Sequence, residues 1–431
     1  MNKHTITLIA ACTAFTAFGQ ISPAFRDSAV QDVLRTLTEN YVFPETAERA
    51  KTYVLQQKAS GAYNRMQTGD DIARQLTADI RHITHDLHIN VGYSPEIVPE
   101  LHVGSVPPPE EMERVKEMLK RENYGVKEKR ILPGNIGYLN FKFFGILEFC
   151  ADSLISAMQF ISGTDALIID LRENGGSMDP STIPFLSGYF FGTPTHLNDF
   201  YNRYTNDTTQ SWSYGWVPGK RYFSNPVYIL TSRATFSGAE EFAYDFKNLK
   251  RATLIGEQTG GGANPGGDIK VNDHFVMFVP TGRAINPITK TNWEGVGVQP
   301  DTVIKANKAL YKAQTMALSQ LIASCSNGSQ REGLQKMLNE LQANAPVYKP
   351  LTLKLNGHAN AGEVAVAGTF NGWSPAADKM KKADGIWTIT IEAEPGKHQY
   401  KFIVDGQWIT DPGNPITEGE GLYINSVVNV K

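Results

Sequence analysis

Three short apolar runs, ALIID at 166–170, VYILT at 227–231 and ATLIG at 252–256, most restrict what this chain can fold into. Runs so short and so apolar must be covered on both faces, as strands of a parallel sheet are. Helical patterns stand between them: ADSLISAMQFISG precedes the first and SGAEEFAYDF follows the second. GNIGYLNFKFF ahead of this region is strand-like, and HFVMFVPTGRAI behind it alternates as a β-strand does. Strands alternating with helices predict an α/β core over residues 134–305.

The flanks read differently. MNKHTITLIAACTAFTAFGQ has a lysine, a short apolar run and a small-residue end, the layout of an export leader over 1–20. Its Ile9-Ala10-Ala11-Cys12 box resembles a lipoprotein cleavage site, a second reading that anchors the chain at Cys12. Apolar residues at helical spacing predict a helical subdomain over 21–98, and a Pro-rich, polar stretch makes 99–133 a connector. Two further helical patterns fill 306–347, expected as a linker, and short alternating strands broken by NGWSP, ADG, EPGK and VDGQ predict an all-β sandwich over 348–431. The net charge of −3 and the lack of a basic run argue against nucleic acid, and no segment after the leader reads as membrane-spanning. Cys150 and Cys325 are read either as a disulfide or as two free thiols.

Three stretches of the core can carry chemistry. Ser237 stands where VYILTSR gives way to a helix, so the Gly238 amide can stabilise an oxyanion; the plain alternative is an N-cap serine. DLRENGGSM at 170–178 has paired glycines, Gly175 and Gly176, which admit close backbone approach and offer another N–H to an oxyanion, or simply make a tight turn. GEQTGGGANPGG at 256–267 is glycine-rich but lacks the G-K-[ST] ending of a phosphate loop.

Taken together, DLRENGG, TFSGAEEF, GEQTGGG and WEGVGVQPD occur in the order and spacing of serine peptidase family 41. That family includes C-terminal processing peptidases, tricorn proteases and interphotoreceptor retinoid-binding protein. The resemblance spans about 28–305 and implies a ClpP/crotonase-like spiral core behind a helical subdomain, with Ser237 as nucleophile. Processing peptidases activate the serine with the lysine of G-x-x-T-x-G-K-G; here the run ends Thr259-Gly260-Gly261-Gly262, with glycine in the lysine's place. The tricorn-like branch uses a histidine and a glutamate instead, which match His88 in THDLHINVGY and Glu294 in WEGVGVQPD. Neutral imidazole can take the serine proton at ambient pH. In that branch a serine before the histidine links it to the glutamate, but Leu87 stands there. His85 is the second-choice base. His82, His85 and His88 recur every three residues, which raises a zinc reading; with no H-E-x-x-H pair beside them, no metal or other cofactor is expected. The 91–133 stretch is too short for the PDZ domain of the processing peptidases.

VAVAGTFNGWSP, DGIWTITIEAEPGKHQYKFIVDGQWITDPGNP and GLYINSVVNV resemble the glycogen-binding domain of the AMP-activated protein kinase β subunit, a family-48 carbohydrate-binding module with an early-Ig-like sandwich. The resemblance implies a sugar site of Trp373, Lys401, Trp408 and Asn425. Indole faces suit glucose rings and the polar pair suits their hydroxyls. The expectation is an exported serine endopeptidase, periplasmic, secreted or at the cell surface, acting on peptide or protein and carrying an α-glucan-binding module. The alternatives are a non-catalytic binder of apolar small molecules and a carbohydrate-binding accessory protein.

Overall fold

The computed structural model describes residues 21–104, 108–374, 377–421 and 424–431; the expected leader and its Cys12 box lie outside them. They form two compact units. The first holds the described part of Met1–His85 with Ile89–His102 and Asp268–Val279, and the second holds Asp86–His88, Val103–Gly267 and Pro280–Lys431.

In the first unit, helices Pro23–Asn40, Pro44–Ala59 and Gly69–Thr84 bury Val30, Val33, Leu37, Val54, Leu76 and Ile80. The third helix starts on a capping box: Thr68 Oγ1 accepts the Asp71 N–H at 3.1 Å, and Asp71 Oδ2 accepts the Thr68 N–H at 3.0 Å. It ends at His85, whose φ of 55° is left-handed. The three histidines therefore share no helix. His82 lies against the Tyr53 ring and His85 is an exposed cap, while His88 lies beyond the helix end. Strand Asn90–Tyr93 pairs antiparallel with 275–278.

The second unit is built on a six-stranded mixed sheet. Its order is Thr302–Val303, Thr253–Gly256, Val227–Thr231, Ala166–Asp170, Ile136–Phe141 and Val126–Leu132, all parallel neighbours except the last pair. Alternate residues face opposite layers. Leu139, Leu167, Ile169, Ile229 and Leu254 pack with the helices Leu147–Ile161 and Gly238–Asn248. Tyr138, Ile168, Tyr228, Leu230 and Ile255 pack with Ala309, Ala313, Ala317 and Leu338 of helices Ala306–Ser324 and Gly328–Ala343. The stretch expected as a linker is thus the sheet's second helical layer. Helix Pro109–Arg121 occupies the expected connector.

Residues 349–430 form two antiparallel sheets around one core. Leu353, Leu355 and Trp387 from one sheet meet Val364, Val366, Tyr400 and Phe402 from the other. Cys150 is buried and Cys325 half-buried, and both are free thiols, so no disulfide joins them. Burial pushes the Cys150 thiol up to about 11. Among the described residues no helix is long and apolar enough to cross a membrane.

Candidate active site

Strands Ala166–Asp170, Val227–Thr231 and Thr253–Gly256 are parallel neighbours, so the loops after them emerge together at the carboxyl edge of the sheet, where open α/β sheets place ligands. Those loops are DLRENGG, SRATFSG and EQTGGGA. They are laced to one another. Ser232 Oγ donates to the Arg172 carbonyl at 2.5 Å, Thr235 Oγ1 to the Leu171 carbonyl at 2.7 Å, and the Gly260 N–H to the Thr235 carbonyl at 3.0 Å. Asp170, at the strand end, is buried and held by the Arg172 guanidinium at 2.5 Å and the Tyr138 hydroxyl at 2.8 Å. Although burial works to raise the Asp170 carboxyl, the guanidinium holds it below its ordinary value.

Ser237 immediately precedes helix Gly238–Asn248 with φ 51° and ψ −123°, a conformation that L-residues rarely hold outside over-determined sites. Its Oγ lies 3.0 Å from His88 Nε2. The His88 ring lies 4.7 Å from the Phe236 ring and is largely enclosed. Behind it stands Asp86, fully buried, which sequence reasoning missed although it lies two residues away. Asp86 Oδ1 accepts the His88 N–H at 3.0 Å and sits 3.7 Å from His88 Nδ1, and Asn264 Nδ2 donates to Asp86 Oδ2 at 2.9 Å. Leu87 is exposed.

Glu294 also reaches this cluster. Its Oε2 accepts the Ala263 N–H at 2.6 Å. Burial, and then the neighbouring Asp86, push its carboxyl up to about 8. Asp86, His88 and Glu294 are the one trio of His, Cys or acidic residues among those described whose ligand atoms fall within 4.8 Å of one another. His88 Nε2 of this trio faces Ser237 Oγ.

Glu240 is a second residue the sequence did not single out. Buried in the first helical turn, it accepts the N–H groups of Ser237, Gly261 and Gly262 at 2.9, 2.7 and 2.8 Å and the Thr259 hydroxyl. Burial still pushes it up to about 7. It ties the turn at Ser237 to the glycine loop. Gly262, the position of the lysine in the processing-peptidase pattern, packs so closely that a Cβ there would lie 2.7 Å from His88 Cε1 and 2.3 Å from Phe236 Cζ.

Gly238 is the first residue of the helix after Ser237. Gly176 has φ 126°, and a Cβ on it would sit 2.8 Å from Ser237 Cβ. Its N–H already donates to Asn174 Oδ1 at 2.9 Å, whereas Gly175 beside it is exposed.

On the module, Gln399, Lys401 and Ile403 point to the sheet face opposite the buried Tyr400 and Phe402. Trp373 packs on that outer face over Ala365, Ala367 and Ile403, and its ring lies 6.4 Å from Trp408 at 35°. Asn425 donates to Gln399 Oε1 at 3.0 Å on the neighbouring strand. The structure thus brings together two indoles, of which Trp408 is exposed, on one face of a sheet.

Residues 135–304 match the family model of peptidase family S41, and residues 24–122 match the N-terminal domain of that peptidase in eukaryotic IRBP. Residues 350–431 match the glycogen recognition site of AMP-activated protein kinase. Both resemblances read from the motifs are borne out: the chain joins a serine-peptidase-family core to a carbohydrate-binding module. Among curated proteins it is similar to Protein PTST homolog 2, chloroplastic, of Arabidopsis thaliana, 44% identical over 70 residues, and to the 5'-AMP-activated protein kinase subunit beta-2 of Homo sapiens, 39% identical over 69. These matches cover 16% of this chain and only 13% and 25% of those proteins. Among solved structures, a lipoprotein from Streptococcus agalactiae aligns over 70% of this chain and 99% of its own at TM-score 0.45 and 15% identity. Mature CPAF aligns over 75% and 99% at TM-score 0.45 and 12% identity.

Proposed function

We propose that this protein is an exported serine endopeptidase that cleaves peptide bonds through an acyl-enzyme on Ser237, and that its C-terminal module holds it to α-glucan. The observation that carries the peptidase reading is the 3.0 Å approach of Ser237 Oγ to His88 Nε2 beside the buried Asp86. His88 Nε2 takes the hydroxyl proton as Oγ attacks the scissile carbonyl, then returns it to the leaving amine. The Gly238 amide, with Gly175 across the cleft, stabilises the oxyanion. Because its amide serves Asn174, Gly176 contributes close approach rather than a donor.

In this reading Asp86, which accepts the His88 backbone N–H and lies 3.7 Å from Nδ1, favours the imidazolium by its charge rather than by a hydrogen bond to the ring. Glu294 keeps a place beside the base, and by holding the Ala263 N–H it fixes the end of the glycine loop. The core belongs by this reading to the ClpP/crotonase type and the module to the early-Ig-like sandwiches. Loss of residues 1–20 on export predicts a mature N-terminus at Ile21, checked by mass spectrometry of the exported protein.

A fluorophosphonate probe tests the chemistry. Wild type should be labelled and Ser237→Ala should not; folded wild type that resists the probe would sink the hydrolase reading and favour a non-catalytic binder. Affinity electrophoresis in glycogen gels tests the module. Retardation of wild type should be lost in a Trp373→Ala/Trp408→Ala double variant, and equal migration of the two counts against the indole face.

A further inference from the structure

Two cavities, of about 280 and 180 Å³, lie side by side where the sandwich meets the core, sharing Ala306, Asn307, Phe370 and Asn371 in their walls. The seam around them is polar. Asn307 Nδ2 donates to the Glu392 carbonyl at 3.1 Å, Lys308 Nζ pairs with Glu392, and the Tyr348 hydroxyl donates to the Asn307 carbonyl at 3.0 Å. One acceptor is left over: Asn307 Oδ1 is buried and bonded to nothing among the described residues. A buried acceptor without a donor is costly, and a ligand donor would relieve it.

The lining selects the ligand's chemistry. Arg172 cannot clamp an anion, because Asp170 takes its Nε and Nη2 and the Ala306 carbonyl takes Nη1 at 2.7 Å. Of the two acidic side chains in the lining, Glu173 offers no unbalanced charge to a cation, since Lys127 Nζ pairs with it at 2.5 Å, and Glu394 is exposed to solvent, which screens its charge. His398 is engaged at both nitrogens, by Thr369 and by the Glu394 carbonyl, at 2.9 and 2.8 Å. Carboxylate, amide and hydroxyl oxygens remain, beside the ring of Phe370. Acceptors around an aromatic ring call for an uncharged ligand rich in hydroxyl donors. The larger cavity, just below the ~300–1,000 Å³ of small-molecule sites, admits a short sugar segment rather than a polymer.

Gly372 lines this cavity, and the next residue is Trp373 of the indole face. We propose that the cleft between module and core binds the end of an α-linked glucose chain, a site distinct from the indole face and made jointly by both domains. The proposal rests on the reading that the module takes α-glucan.

Calorimetric titration of the full chain with maltoheptaose and with β-cyclodextrin, which has the same rings but no chain end, tests it. Wild type should bind both. Asn307→Leu should weaken maltoheptaose by about tenfold or more, roughly 1.4 kcal/mol, and leave β-cyclodextrin within about twofold. Glu394→Ala, at an exposed position, should shift the balance in the same direction and guards against a folding defect in the first variant. Inorganic phosphate should not displace maltoheptaose. If both variants keep wild-type affinity for maltoheptaose, the cleft site is overturned while the module reading stands. If wild type binds neither sugar, both fall. Displacement by phosphate overturns the ligand class.

Discussion

A histidine proposed as a base gains from a carboxylate beside it as its ring becomes charged, and the one on offer is Asp86, too far from Nδ1 for a hydrogen bond. Asp86 is buried, bonded by Asn264 and 3.7 Å from the ring nitrogen, whereas Leu87 is exposed. Asp86→Asn should therefore lower kcat by about 10²–10³ with little change in KM. Leu87→Ser should leave peptide turnover within about twofold; a large gain would return the orienting role to a serine relay. Glu294 has a separate signature. Its carboxyl is raised from 4.5 to about 8, so the folded state binds that proton more tightly than the unfolded chain does. The stability this gives is complete below 4.5 and lost as pH rises through about 8. Tm measured across that range should fall less for Glu294→Gln, which is neutral throughout, than for wild type.

At the scale of elements, the helix after Ser237 and the glycine loop behave as one piece because Glu240 accepts from both. Glu240→Ala leaves those N–H groups without their acceptor, at about 1–3 kcal/mol for each one left buried. Hydrogen exchange at Gly261 and Gly262 should speed up more than at the sheet strands. Gly176→Ala puts a side chain at φ 126° and 2.8 Å from Ser237 Cβ, so it should abolish probe labelling even where the fold survives. The alternation of apolar runs with helical patterns made the sheet legible, and the serine's place at a strand-to-helix turn followed from it. What escaped has physical reasons. Asp86 and Asn264 are 178 residues apart, and no local pattern announces such a pairing. The 306–347 helices read as a linker because their buried seam is alanine, Ala309, Ala313 and Ala317, which packs closely but carries little hydropathy. The three-residue histidine period suggested a shared face, and the left-handed turn at His85 ends the helix before that face can form.

For the molecule as a whole, the proposed peptide site and the proposed indole-face sugar site stand on separate frames: the carboxyl edge of a mixed sheet, and the outer face of a β-sandwich. Ser237→Ala should keep full retardation in glycogen gels, and the Trp373/Trp408 double variant should keep wild-type probe labelling. Loss of both properties in either variant would show that the two halves do not fold as independently as their cores imply. The ion pairs at the seam add little to this, since exposed pairs such as Lys308–Glu392 are worth about 0–1 kcal/mol.

The bare Cα of Gly262 is what leaves the imidazole its place against Ser237. Any side chain there would bring a Cβ within 2.7 Å of the His88 ring and 2.3 Å of the Phe236 ring, so one of the rings would have to shift. A Gly262→Lys protein should accordingly be inert, not doubly equipped.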